Sequence, residues 1–154
     1  MTERMTAAQF RAMAAEESTH KRSKYRAIAA YRCKSCDAPV TKRQAKCIAC
    51  GGTEKRFFAS RAEAQRYDAN KARERRGEIE GLELQPAFPL VVNGIHVGVY
   101  KADSRYVIAA TGETVVEDVK SEATMTEAAR LRMKLAEACH GIKIRKVFKG
   151  RSAT

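Results

Sequence analysis

The chain has no tryptophan, only three prolines, and few acids for its bases: 18 Asp and Glu against 30 Lys and Arg in 154 residues. No apolar run approaches the ~18–20 residues that a bilayer-crossing helix needs, which excludes a membrane span of that kind. The first residues alternate charge with alanine and lack the hydrophobic stretch of a secretory signal, so a cytoplasmic protein is expected. With no tryptophan, a core must come from the other hydrophobic residues, 44% of the chain. That suffices for one modest domain and a small appendage.

The shortage of acids leaves a formal charge of +12 and an isoelectric point near 9.8. Such an excess favours a polyanionic partner, nucleic acid first. It is uneven: residues 1–80 carry 19 basic and 10 acidic side chains, and residues 81–154 carry 11 and 8. Within the first part, Thr19-His20-Lys21-Arg22-Ser23-Lys24-Tyr25-Arg26 is a basic run with one aromatic. Lys21, Arg22, Lys24 and Arg26 are candidate phosphate contacts, and a solvated linker is the competing reading. Residues 2–17 read as a short amphipathic helix with a thin apolar face of Met5, Phe10 and Met13.

Four of the five cysteines form two tight pairs, Cys33-x-x-Cys36 and Cys47-x-x-Cys50, ten residues apart and followed by Gly51-Gly52. In a reducing cytosol this spacing argues for a metal rather than disulfides. Two such knuckles can supply four thiolates to one tetrahedral zinc, and the pattern resembles a zinc ribbon. Four thiolates leave no open position, so the zinc is expected to be structural. So few apolar residues lie between the pairs that the metal would have to supply the folding energy. Cys139 is left over as a packing residue.

Ser60-Arg-Ala-Glu63 reads as a capping box opening a helix to about Arg76, stopped by Gly77, with Tyr67 its main large apolar residue. Arg66, Lys71, Arg73, Arg75 and Arg76 are assigned to its surface. Ile79–Leu84 and the segment to Val92 read as extended, Asn93-Gly94 as a hairpin turn, and Tyr106–Ala110 and Thr114–Lys120 as strands joined at Thr111-Gly112. A helix is expected over Thr126–His140 with Leu131, Leu135 and Ala138 on its apolar face and Arg130 with Lys134 on another. Gly141 ends it, and Ile142–Phe148 alternates like a last strand. The order is α+β: helix, about three strands, helix, strand.

Side chains alternate along a strand, so Asp118 and Lys120 point one way while Glu117 and Val119 point the other. With Asp103 opening the preceding strand, two carboxylates and a lysine are expected to converge at a sheet edge. That grouping can hold a divalent cation beside a phosphodiester and position the attacking water. Each residue also has a bland reading: Glu63 as half of a capping box, Asp103 as a turn residue, Asp118 and Lys120 as an exposed strand face.

The runs Phe58-Ala-Ser60-Arg-Ala-Glu63-Ala-Gln-Arg-Tyr67, Gly77-Glu-Ile79, Leu82-Glu-Leu84-Gln85-Pro86, Asp103 and Val115-Val116-Glu117-Asp118-Val119-Lys120 resemble a family of small phage and prophage proteins of unknown function. That family in turn resembles the PD-(D/E)xK, restriction-endonuclease-like nuclease superfamily. The resemblance covers residues 57–148. It implies a core of helix, three-stranded sheet, helix and strand, with a zinc ribbon inserted ahead of it. The implied division is 1–30 for an N-terminal helix and basic arm, 31–56 for the ribbon and 57–150 for the nuclease core.

In that frame Asp103 and Asp118 stand at the two acidic positions, Lys120 at the lysine, Glu63 at the acid of the first helix, and Gln85 at a polar position beside the site. Glu63, Asp103 and Asp118 would hold Mg2+ or Mn2+. Ser104 departs from the pattern, since an aromatic usually follows the first aspartate. The implied activity is a metal-dependent DNA endonuclease in the cytoplasm of a bacterial host. Branched DNA such as Holliday junctions is the leading substrate, a homodimer the expected assembly, and Arg130 and Lys134 additional phosphate contacts. The alternative is a non-catalytic zinc-ribbon nucleic-acid-binding or adaptor protein.

Overall fold

The structure, a computed structural model, describes residues 27–148. The expected helix over 2–17 and the basic arm bearing Lys21, Arg22, Lys24 and Arg26 lie outside the described residues.

Three short strands, β1 (Ala30–Cys33), β2 (Pro39–Val40) and β3 (Lys55–Phe58), form an antiparallel sheet in the order β2-β1-β3. Its apolar content is small: Cys33, Val40 and Cys47 are buried, with Tyr31 and Ala38 beside them. β3 runs on to Phe58, so a boundary at residue 56 would cut this strand. Next comes helix α1 (Arg61–Arg75), capped by Ser60, whose side chain accepts the Glu63 N–H. Gly77, with φ 71°, reverses the chain after it.

The larger sheet contains β4 (Ile79–Leu84), β7 (Ser104–Ile108), β8 (Thr114–Lys120) and β9 (Ile144–Phe148), in the order β4-β7-β8-β9. β4–β7 and β7–β8 are antiparallel, whereas β8–β9 is parallel. A parallel neighbour needs a crossover, which helix α2 (Glu127–His140) provides. Thr126 caps α2, and Gly141 closes it in the left-handed region at φ 62°. Neither described helix is long and apolar enough to cross a membrane.

Strands β5 (Ala87–Val92) and β6 (Ile95–Lys101) are joined by the expected Asn93-Gly94 turn, and both turn residues have positive φ. This hairpin forms a separate two-stranded sheet rather than extending the larger one. Its inner face, Phe88, Leu90 and Tyr100, joins Val116, Met133, Ala136 and Ile144 in the main core. The hairpin and α2 thus cover one face of the β4–β9 sheet. α1 lies on the other, where Ile79, Tyr106 and Val115 form a second cluster.

The face assigned to α2 is corrected in part: Met133 and Ala136 are its buried residues and Leu135 packs half-buried against the same core, while Leu131 is 68% exposed and Ala138 is exposed. Met133 and Ala136 are three apart and share a helical face, which the branched leucines outweighed in the sequence pattern. The surface assigned to α1 is corrected in the same way. Arg66 and Arg73 turn inward, because the sheet beneath them offers a buried carboxylate and a tyrosine.

Candidate functional site: a four-cysteine cluster and an acidic sheet edge

The two cysteine knuckles fold onto one another. Cys33 Sγ lies 3.5 Å from Cys50 Sγ, and Cys36 Sγ lies 3.6 Å from Cys47 Sγ. All four ligand atoms fall within 4.8 Å of one another. A tetrahedral zinc with Zn–S near 2.3 Å needs sulfurs about 3.8 Å apart, so the cluster could hold a zinc ion. The backbone is shaped to the sulfurs. Asp37 and Gly51 take positive φ at the two turns, and the Gly52 N–H donates to Cys50 Sγ at 3.4 Å. A Cβ at Gly52 would sit 2.8 Å from Ser35 Oγ and 3.1 Å from Cys33 Sγ, so any larger residue would displace the Ser35 hydroxyl and crowd the cysteine sulfurs. The Ser35 backbone N–H lowers the Cys33 pKa to about 6, whereas those of Cys36 and Cys50 in the same cluster are raised despite the Ala38 and Gly52 backbone N–H bonds.

The cysteine-bearing sheet is locked to α1 by charged and aromatic contacts. Arg32 pairs with Asp68 at 2.6 Å. Tyr67 donates to Asp37, Arg56 reaches both Asp37 at 3.1 Å and the Tyr67 oxygen at 2.5 Å, and the Arg56 guanidinium lies 5.0 Å from the Tyr67 ring centre. Phe58 packs on the same ring at 5.1 Å. Burial and the Asp37 bond push the Tyr67 hydroxyl pKa up, so it stays a donor.

At the acidic edge, Asp103 immediately precedes β7, and its N–H donates to Glu117 O. Its Oδ2 accepts the Val119 N–H at 2.6 Å, which pins the carboxylate against the Asp118–Val119–Lys120 backbone. This bond aims Asp103 with Ser104 as its neighbour. Asp118 is 1% exposed. It accepts the Tyr100 hydroxyl at 2.6 Å through Oδ2 and pairs with Lys120 Nζ at 2.7 Å through Oδ1. Burial, and then the neighbouring Asp118 carboxylate, raises the Asp103 pKa to about 7, against the opposing Val119 hydrogen bond.

Glu63, Gln85 and Asp103 line one cavity of about 170 Å³, together with Arg56, Phe57, Arg66, Leu84 and Ser104. Asp118 and Lys120 instead line a separate depression with Tyr100 and Lys101 of β6 and Arg132 of α2. The Glu63 carboxylate is occupied locally, taking the Ser60 hydroxyl at 3.0 Å and the Ala59 N–H at 3.3 Å. Among the described residues, the cysteines alone bring three or more metal-binding side chains within 4.8 Å of one another. Gln85 has φ 50°, unusual outside glycine, and its N–H donates to Asp103 O. Arg130 and Lys134 are exposed on α2.

The sequence reading passed over a buried polar cluster under α1. Glu117, 0% exposed, takes Arg66 at 2.8 and 2.5 Å, the Tyr106 hydroxyl at 2.7 Å and Asn70 at 3.2 Å, with Arg145 at 3.8 Å. Burial opposes its charge, but the Arg66 and Tyr106 hydrogen bonds prevail and its pKa is lowered. Arg73 stacks 5.1 Å from the Tyr106 ring centre and donates to its hydroxyl. The spacing of Glu63, Arg66, Asn70 and Arg73, one polar stripe on a helix, was the signal available in the sequence.

Fold and cysteine cluster together define an α+β protein with a four-cysteine site able to hold zinc. Residues 40–151 match the family described as "Protein of unknown function (DUF1064)", and the chain belongs to that family. No curated protein and no solved structure shows significant similarity to it.

Proposed function

We propose that this protein is a metal-dependent DNA endonuclease of the PD-(D/E)xK type with a structural zinc ribbon. The observation that supports this most is the bond from Val119 N–H to Asp103 Oδ2, which holds the first acid against the strand bearing Asp118 and Lys120. Asp103, next to β7, and Asp118 with Lys120 on the paired strand β8 are thereby held near one end of the sheet. Asp103 and Asp118, with Glu63 once its carboxylate turns from the Ser60 cap, would hold Mg2+ or Mn2+, for which an all-oxygen donor set is suited. Such an ion, when bound, acidifies water and neutralises charge on the scissile phosphate.

Lys120, paired with Asp118 at 2.7 Å, would supply a cation to the developing phosphorane charge. The raised Asp103 pKa fits a carboxyl pair awaiting a counter-charge. Lys42, Arg43 and Lys46 of the cysteine-bearing segment, Arg130 and Lys134 of α2, and the basic arm would contact backbone phosphates. Branched DNA is the leading substrate class and a homodimer the expected assembly. The second reading, a non-catalytic zinc-ribbon adaptor, draws support from the Glu63 carboxylate being engaged in its cap.

The test is cleavage of labelled four-way junction, flap, duplex and single-stranded DNA by zinc-loaded protein, with and without Mg2+ or Mn2+, and with Asp118→Asn in parallel. Metal-dependent cutting that disappears in the variant is expected. Binding without cutting in either metal would overturn the enzyme reading and leave the adaptor.

A further inference from the structure

The cavity beside Asp103 has a wall that catalysis of hydrolysis does not require. Phe57 lines it and is 54% exposed. Its ring meets Tyr31 edge-on at 5.5 Å. Opposite in character are Gln85, whose side-chain amide makes no hydrogen bond among the described residues, and Ser104, whose buried hydroxyl lacks a partner there. At about 170 Å³ the space is many times the ~10–15 Å³ that one water needs.

The cations at this cavity are already committed, Arg66 to Glu117 and Arg56 to Asp37 and Tyr67. A phosphate would therefore find no free guanidinium here. A flat heteroaromatic with a polar edge suits the space better: it can stack on Phe57 and present donors and acceptors to the Gln85 amide.

We propose that this cavity takes the base of an unpaired nucleotide, which, resting on the nuclease reading above, makes DNA with exposed bases at a branch, flap or end the substrate. A paired base would first have to leave its stack at a cost of a few kcal/mol, so an unpaired base is favoured. Asp103, which lines the same cavity, would then lie beside the captured nucleotide.

The test uses the full zinc-loaded chain and a flap oligonucleotide with 2-aminopurine at the unpaired position beside the branch, in Ca2+ so that binding is read without turnover. Wild type is expected to change the 2-aminopurine fluorescence on binding. Phe57→Ala should abolish that change and weaken flap binding about 5- to 100-fold, while affinity for a fully paired duplex is kept. Phe57→Tyr should restore both. Because Phe57 is half exposed, zinc content and melting temperature should stay at wild-type values. An unchanged flap affinity in Phe57→Ala, or no fluorescence change with wild type, overturns the proposal. Cleavage in Mg2+ separates the two readings: cutting without Phe57 dependence leaves the nuclease and removes the base pocket. A Phe57-dependent fluorescence change without cutting leaves the base pocket and removes the nuclease.

Discussion

Glu117 and Asp118 are adjacent, both nearly inaccessible, and face opposite sides of the sheet into different chemistry. Glu117 is neutralised by Arg66 and held by Tyr106 and Asn70. Arg66→Ala should cost about 3 kcal/mol or more in urea unfolding, because it strands a buried carboxylate. The Glu117 pKa is lowered in the folded state, so its contribution is present above the unfolded value near ~4.3 and is lost as pH falls through the folded value. The stability difference between wild type and Glu117→Gln should thus be full at pH 7 and shrink below about pH 4. Asp103 behaves oppositely. With its pKa raised to about 7, the folded chain binds the extra proton between ~pH 4 and 7, and stability declines as pH rises through that window. Asp103→Asn should therefore melt higher than wild type at pH 8, with the gap closing toward pH 4, in thermal scans without added Mg2+ or Mn2+.

At the scale of elements, short polar contacts decide where helices begin and where the cysteine turns close. Ser60 caps α1 and also engages Glu63, so Ser60→Ala should lower stability by about 1 kcal/mol in urea unfolding. The same change frees the Glu63 carboxylate toward the cavity. Gly52 is set by space: its missing Cβ is where Ser35 and Cys33 crowd. Gly52→Ala should weaken zinc retention against a competing chelator, with little effect on the β4–β9 sheet. α2 shows that an apolar pattern need not identify the buried stripe. Met133 and Ala136 pack under the hairpin, while Leu131 is left outside.

Across the whole molecule, the cysteine-bearing sheet and α1 form a single mechanical unit through Arg32–Asp68 and the Asp37–Arg56–Tyr67 group. With so small an apolar cluster of its own, that sheet would draw its order from a metal bound by the four cysteines. Chelating the zinc should raise hydrogen exchange over residues 30–58 and in the first two turns of α1, and leave β7, β8 and β9 protected. Equal loss of protection throughout would mean that the two sheets unfold as one.

The sequence by itself determined the local features whose causes are local. Cysteine spacing, the Ser60 cap, the Asn93-Gly94 turn and the Gly77 and Gly141 stops each depend on a few neighbouring residues, and all were legible there. Period-two alternation likewise placed Glu117 and Asp118 on opposite faces. Only the tertiary structure decided what each face meets, because pairing order and crossovers join residues 47 to 51 positions apart, as in Asn70, Arg66 and Glu117. It set the hairpin apart from the main sheet, turned Arg66 and Arg73 inward, and divided Glu63, Gln85 and Asp103 from Asp118 and Lys120 into separate depressions. Those outcomes follow from desolvation: a carboxylate buried by packing must find its cation wherever the fold brings one.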